Sequence, residues 1–106
     1  MSYKELSVML KILSDPSRLE ILDLLSCGEL CAADILKYFH FSQPTLSHHM
    51  KSLVDSNLVI KRKEGNKQMY QVNHDVLANV SQGLLNINTP SQTCICKDIE
   101  TGGSIS

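Results

Sequence analysis

The sequence predicts a mainly α-helical fold with a small β-hairpin, a winged helix-turn-helix that forms a homodimer. Three observations support this prediction. Successive segments of the first 59 residues carry apolar side chains at helical spacing. The last of these segments, 41–59, has short polar side chains and no acid in its first three turns. A short stretch with turn residues and several cations follows it, as expected for a β-hairpin.

Length and composition indicate one small domain. The chain has 106 residues, 42% hydrophobic and 20% charged, which is ordinary for a globular protein. We expect a DNA-binding and dimerisation domain at 1–88 and a flexible, cysteine-containing tail at 89–106. The N-terminus has no long apolar run and no small-residue cleavage site, which predicts a cytoplasmic protein with no membrane partner. Its four cysteines are then expected to be reduced.

The charge distribution favours a nucleic-acid partner. The net charge is −1, so the molecule as a whole is not basic. Residues 48–67, however, contain five Lys or Arg and two acids, whereas the remainder contains five Lys or Arg and nine acids. A basic stripe on an acidic body is typical of a DNA-binding surface.

The first three helices are expected to build much of the core. Lys4–Ser14 has apolar residues on more than one side, which predicts burial against both its own core and a partner. Asp15 and Pro16 begin the second helix as its N-cap and first residue, and Gly28 ends it. The residues of this helix that are expected to face the core are Leu19, Leu22 and Leu25, with Ile21 and Leu24 beside them. The third helix is expected at Glu29–His40.

The fourth helix is the one expected to enter a DNA groove. Ser42 is a suitable N-cap, and Pro44 fits the first helical turn. An apolar stripe is formed by Leu46, Met50, Leu53 and Val54. The polar side lacks acids until Asp55, which suits binding to a polyanion. The candidate DNA-binding residues of this helix are Ser42, Gln43, Thr45, Ser47 and His48, mainly for base edges, and Lys51 for phosphate.

The period changes after Asn57. Two short runs around Glu64-Gly65-Asn66 predict a β-hairpin, the wing. The candidate DNA-binding residues of the wing are Lys61, Arg62, Lys63 and Lys67. Asn73 is expected to cap a fifth helix that runs to about Leu85. The apolar stripe of that helix fits packing on its own core and a dimer interface with the first helix equally well.

The stretch 29–72 resembles the ArsR/SmtB family of metal-responsive winged-helix repressors through the residues ELCAADILKYFHFSQPTLSHHMKSLVDSNLVIKRKEGNKQMYQV. The residues LKILSDPSRLEILDLL are similar to the family's second-helix signature. The resemblance covers about Leu6 to Leu85 and is strongest to the arsenic-responsive repressors of arsenic resistance operons. It implies a homodimer formed by the first and last helices, bound to double-stranded operator DNA. It also implies that a metal or metalloid relieves repression.

The family's arsenic sensors carry ELC-x-C-D at the start of the third helix, but this sequence has Ala33 in place of the second cysteine. As(III) is usually held by three thiolates. Cys94 and Cys96 are two residues apart, so in an extended chain both sulfurs point to one side. We therefore hypothesise that Cys31, on the third helix, joins Cys94 and Cys96 to bind the inducer As(III) or Sb(III); no other cofactor is required. Cys27 is expected to be a small buried hydrophobe.

The predicted function is thus a metalloid-responsive repressor of an arsenic resistance operon, not an enzyme. One alternative is a winged-helix repressor that responds to Cd, Pb or Bi, or that has lost metal sensing. A thiol redox enzyme is less favoured, because the Cys-x-Cys pair lies in a polar tail with no base or anion-binding cradle nearby in sequence.

Overall fold

The computed structural model describes residues 1–89, which form five helices and three strands. The helices are α1 (Tyr3–Leu13), α2 (Pro16–Leu25), α3 (Ala32–Tyr38), α4 (Gln43–Asp55) and α5 (His74–Asn88). The strands are β1 (Leu30–Cys31), β2 (Val59–Glu64) and β3 (Lys67–Val72). The predicted winged helix-turn-helix is confirmed. The tail cysteines and the other predictions for 90–106 lie outside the described residues.

The first two helices begin at side-chain caps. At α1, Ser2 Oγ accepts from the backbone N–H of Glu5 at 3.0 Å, and the Glu5 carboxylate accepts from the N–H of Ser2 at 3.1 Å. At α2, Asp15 is the N-cap and Pro16 the first residue, as predicted. The predicted end of α2 is wrong by a few residues, because the helix stops at Leu25 and Gly28 lies in the following turn with φ +148°.

The core is one cluster contributed by α2, α3, α4 and the sheet. Its members are Ile21, Leu22, Leu25, Ile35, Leu46, Met50, Leu53, Leu58, Val59 and Val72. The predicted α4 stripe therefore packs on the core, with Val54 at its edge. The predicted inward direction of Leu19 is wrong, because Leu19 is 50% exposed and Ile21 is fully buried instead. Since α2 carries apolar residues on several sides, their spacing alone did not determine which side faces inward.

The predicted β-hairpin is confirmed as β2 and β3, and β1 adds an unpredicted third strand to form an antiparallel sheet. Its order is β1-β3-β2, and one row across it contains Cys31, Met69 and Arg62. Because β1 occupies Leu30–Cys31, the third helix begins at Ala32 and not at Glu29. The prediction that Cys31 lies on that helix is therefore wrong: Cys31 is its N-cap.

The turn after α4 fixes where the wing begins. Asn57 has φ +66°, and its N–H donates to the carbonyl of Val54 at 3.0 Å. The N–H of Leu58 donates to the carbonyl of Leu53 at 3.0 Å, which completes a Schellman motif. Leu53 and Leu58 are both fully buried. The end of α4 and the start of β2 are therefore joined by paired hydrogen bonds and by shared apolar packing.

Helix α5 packs on α1, with Leu6 and Val80 buried. A Cβ at Gly83 would lie 3.2 Å from Leu6 Cδ2, so glycine permits this approach. The two helices also expose the apolar side chains Val8, Leu10, Leu84, Leu85 and Ile87. Within residues 1–89, no helix combines the length and the apolar character that crossing a membrane would require.

Candidate nucleic-acid interface and thiol site

The polar side of α4 is exposed at every predicted contact residue of that helix: Ser42, Gln43, Thr45, Ser47, His48 and Lys51. Ser42 Oγ accepts from the Thr45 N–H at 3.3 Å and donates to Thr45 Oγ1 at 2.9 Å. These two hydroxyls therefore also serve the helix cap. Gln43, Ser47 and His48 make no side-chain hydrogen bond within residues 1–89, so their polar groups face solvent.

A buried histidine anchors the opposite side of α4. His49 is 8% exposed, and its Nδ1 accepts from Arg18 Nε at 3.2 Å. Arg18 Nη1 also donates to the carbonyl of Ile12 at 3.3 Å. The contact ties α4 to the start of α2. Its partner, 31 positions earlier in the sequence, was not predicted.

Lys51 is paired, but weakly. Its Nζ lies 2.9 Å from Asp55 Oδ2 one helical turn away, and the side chains are 77% and 64% exposed. Exposed pairs of this kind contribute on the order of 0.3–0.5 kcal/mol. A phosphate group can therefore replace Asp55 as the partner of Lys51 at little cost.

The four cations of the wing fall into two groups. Lys61, Lys63 and Lys67 are exposed and make no ion pair within the described residues. Arg62 instead donates from Nε to Glu29 Oε2 at 2.7 Å and from Nη2 to Glu29 Oε1 at 2.5 Å. Its Nη2 also lies 2.9 Å from Glu64 Oε2. The hydrogen bonds from Arg62 hold the pKa of Glu29 below its usual value.

The candidate thiol Cys31 lies beside the DNA-binding surface. Its side chain is buried, and Sγ donates to Asp34 Oδ2 at 3.2 Å. It also lines a cavity of about 410 Å³ between α3, α4 and the wing. Residues from the DNA-binding elements that share this cavity are Gln43, Leu46, Ser47, Met50, Asn66, Lys67 and Gln68. A ligand bound to the Cys31 thiol would therefore lie next to both α4 and the wing.

The other candidate ligands are dispersed. The prediction that Cys27 is buried is wrong: it is exposed, because α2 has already ended at Leu25. His40 and His74 are exposed. In the portion from 1 to 89, no three His, Cys, Asp or Glu side chains are close enough together to hold a metal ion.

An exposed helix row without acids in its first three turns, next to a basic hairpin and supported by a helical body, defines a winged-helix DNA-binding regulator. Residues 15–61 match the sequence pattern described as bacterial regulatory protein, arsR family. The chain belongs to this family, and it is a transcriptional regulator, not an enzyme. The family predicted from the sequence motifs is confirmed.

Relatives extend this similarity over nearly the whole chain. An arsenical resistance operon repressor of Staphylococcus xylosus is 69% identical over 96% of this chain and 98% of its own length. One of Staphylococcus aureus is 68% identical over the same shares of the two chains. The homodimeric winged helix-turn-helix domain of a possible ArsR-family regulator from Mycobacterium bovis is 29% identical, with a TM-score of 0.66 over 77% of each chain.

Proposed function

We propose that this protein represses an arsenical resistance operon in the bacterial cytoplasm and leaves its operator when As(III) or Sb(III) binds to cysteine thiolates. The observation that carries the proposal is the exposed polar row of α4, which has no acid before Asp55 and stands on a buried apolar stripe. The staphylococcal relatives, which bear the name of this function, support it.

The proposed DNA complex assigns different tasks to α4 and the wing. Gln43, Ser47 and His48 contact base edges in the major groove, because their polar groups are uncommitted and exposed. Ser42 and Thr45 complete the contact at the start of α4, and Lys51 binds phosphate. Lys61, Lys63 and Lys67 contact the DNA backbone from the wing. Such contacts make binding fall steeply as salt concentration rises.

The proposed assembly is a homodimer formed by α1 and α5. The exposed apolar side chains of these helices, such as Val8, Leu84 and Ile87, would be covered by a second copy. The similar domain from Mycobacterium bovis is homodimeric, which supports a dimer. A two-fold axis would place two α4 helices in successive major grooves, about 34 Å apart, on a palindromic operator.

The proposed inducer site needs thiols from outside the helical body. Cys31 is buried next to Asp34, and Ala33 occupies the position of the family's second cysteine; the other described thiol, Cys27, is exposed. One thiolate does not hold As(III), which usually takes three. Cys94 and Cys96, from the same or the partner subunit, are the proposed additional ligands. The bound ion would join the start of α3 to the tail.

Ala33 also supports a second candidate function. A repressor that lacks the family's paired cysteines could bind the same operator without responding to arsenite, or could respond to Cd, Pb or Bi instead. Its DNA-binding surface would be unchanged. Only the response to soft ions separates the two candidates.

The test is a titration of a protein–operator complex with arsenite, followed by fluorescence anisotropy of labelled promoter DNA. Wild-type protein is expected to leave the DNA, whereas Cys31→Ser and the double variant Cys94→Ser/Cys96→Ser should remain bound. Cys27→Ser is the matched control and should behave as wild type, because Cys27 is exposed and lies outside the proposed site.

Each outcome separates the proposals. Release of the tail double variant would remove Cys94 and Cys96 from the site. Retention of the wild-type complex, with release by cadmium, lead or bismuth salts, would support the second candidate. Absence of operator binding at low salt would contradict the DNA-binding function itself.

A further inference from the structure

Among the four cations of the wing, Arg62 is the one whose charge is paired with carboxylates of the described part of the same chain. Its guanidinium donates to both carboxylate oxygens of Glu29, at 2.7 and 2.5 Å, and to Glu64 at 2.9 Å. A bidentate pair of this kind is directional as well as strong, because two parallel N–H groups meet two oxygens. These bonds occupy the Nε and Nη2 side of the guanidinium and leave only Nη1 for a phosphate. Arg62 is therefore poorly placed to bind DNA.

The Glu29–Arg62 pair joins parts of the sheet that are not neighbours. Arg62 is in β2, at one edge, whereas Glu29 immediately precedes β1, at the opposite edge, and β3 lies between them. The side chain of Gln68 in β3 adds a hydrogen bond to the Arg62 carbonyl at 3.0 Å. The pair thus spans the whole sheet and ties the outer strand of the wing to the segment that leads into β1.

The ladder between β1 and β3 is short. It consists of Leu30 opposite Tyr70 and Cys31 opposite Met69. The outer strand of the wing adds little packing, because every residue of β2 except Val59 is exposed, whereas β3 contributes Val72 and the half-buried Tyr70. The side chains of Glu29 and Arg62 are 22% and 47% exposed, so the pair is partly shielded from water. Partial shielding makes an ion pair less sensitive to screening by salt.

The same row of the sheet contains the thiol. Cys31 pairs with Met69, and Met69 pairs with Arg62. Glu29 precedes Cys31 by two positions, so a displacement of Cys31 must displace the attachment point of Glu29 as well. The ion pair then carries this displacement to the wing directly, and the path does not include α3 or the core.

We propose that Glu29 is a positioning residue for the wing, which holds Arg62 and thereby transmits the state of Cys31 to the DNA contacts of the hairpin. Arg62 is then an anchor, and Lys61, Lys63 and Lys67 make the contacts with DNA. This inference rests on the proposed function for its link to the inducer. The attachment itself is tested without any inducer.

The first measurement uses the metal-free protein. Glu29→Gln and Arg62→Gln should both speed amide hydrogen exchange at Met69 and Tyr70, because they remove the tie across the sheet. Glu64→Gln is the matched control: it removes the same charge next to the same guanidinium but leaves the Glu29 pair intact. Exchange at these amides should be unchanged in that variant.

The second measurement compares operator affinity with and without arsenite. In Glu29→Gln, the arsenite-induced loss of affinity should shrink by about tenfold, a typical size for coupling between two sites. The exchanged pair Glu29→Arg/Arg62→Glu keeps the net charge and should recover most of the response. A variant that affected only folding would not be rescued by reversing both charges.

The outcomes keep this inference distinct from the proposed function. Unchanged exchange in Glu29→Gln would overturn the positioning role, and so would a full arsenite response in that variant. If the exchanged pair responded no better than the single variants, the ion pair would not be the transmitting contact. If wild-type protein ignored arsenite, the inducer proposal and the transmission would both fail, whereas the exchange measurement would still decide the attachment of the wing.

Discussion

The recognition helix and the wing are attached to the body by different kinds of contact. Helix α4 buries Leu46, Met50 and Leu53 and is fixed on its inner side by His49. The wing buries only Val59 and Val72, where its strands join the body; Tyr70 packs half-buried against the core, and polar contacts hold the remainder. Apolar burial fixes α4 in one position, whereas a carboxylate–guanidinium pair can be broken and remade. The comparison identifies the wing as the part that a signal could move.

The largest expected difference between α4 and the wing is in the free energy of unfolding of their variants. Leu53→Ala should lower the free energy of unfolding by about 2–5 kcal/mol, because Leu53 is fully buried and the change leaves a cavity. Ile60→Ala, at a 42% exposed position in the wing, should lower it by less than about 1 kcal/mol. Urea unfolding followed by circular dichroism measures both. Equal losses would mean that the wing is as firmly packed as α4.

A smaller effect, on operator binding, distinguishes α4 from the wing. Gln43→Ala should reduce discrimination at one base pair by roughly 1–3 kcal/mol, because a base-edge contact is lost. Lys63→Ala should instead weaken binding to all sequences alike. It should also reduce the slope of log Kd against log salt concentration by about 0.9, the contribution of one phosphate contact. Binding to a set of single-base operator variants at several salt concentrations shows both effects. Unchanged sequence preference in Gln43→Ala would exclude that residue from base recognition.

The smallest effect concerns pH. Because Arg62 lowers the pKa of Glu29 in the folded protein, Glu29 stabilises wing attachment above its usual pKa of 4.5. This contribution is lost as the pH falls from there through the folded-state pKa. Hydrogen exchange at Met69, after correction for the intrinsic rate, should therefore rise on acidification in wild type more than in Glu29→Gln. Glu5 and Asp15 also have lowered pKa values, so only the comparison of the two proteins isolates Glu29.

The sequence was sufficient for the elements that rest on local patterns. Ser42, Asp15 and Asn73 were predicted as caps and are caps, and the α4 stripe was predicted from its period. Strand β1 was missed because two residues cannot display a period of two. Cys31 was consequently assigned to a helix. Leu19 was assigned to the core because α2 is apolar on several sides.

The candidate site was predictable only where its residues are neighbours in the chain. The exposed row of α4 follows from helical geometry, and the structure places all its members on the surface. The partners of Arg62 and His49 lie 33 and 31 positions earlier, and no spacing rule connects them. The two contacts that attach α4 and the wing to the body therefore became visible only in the folded chain.

The exposure of Cys27 makes the protein suitable for thiol labelling. A bulky maleimide should modify Cys27 rapidly and the buried Cys31 slowly, because accessibility limits the reaction. In a Cys94→Ser/Cys96→Ser background, the two remaining cysteines therefore define a fast and a slow class. The slow rate then reports how often the segment around β1 opens, and a dye on Cys27 could follow the same event in single molecules.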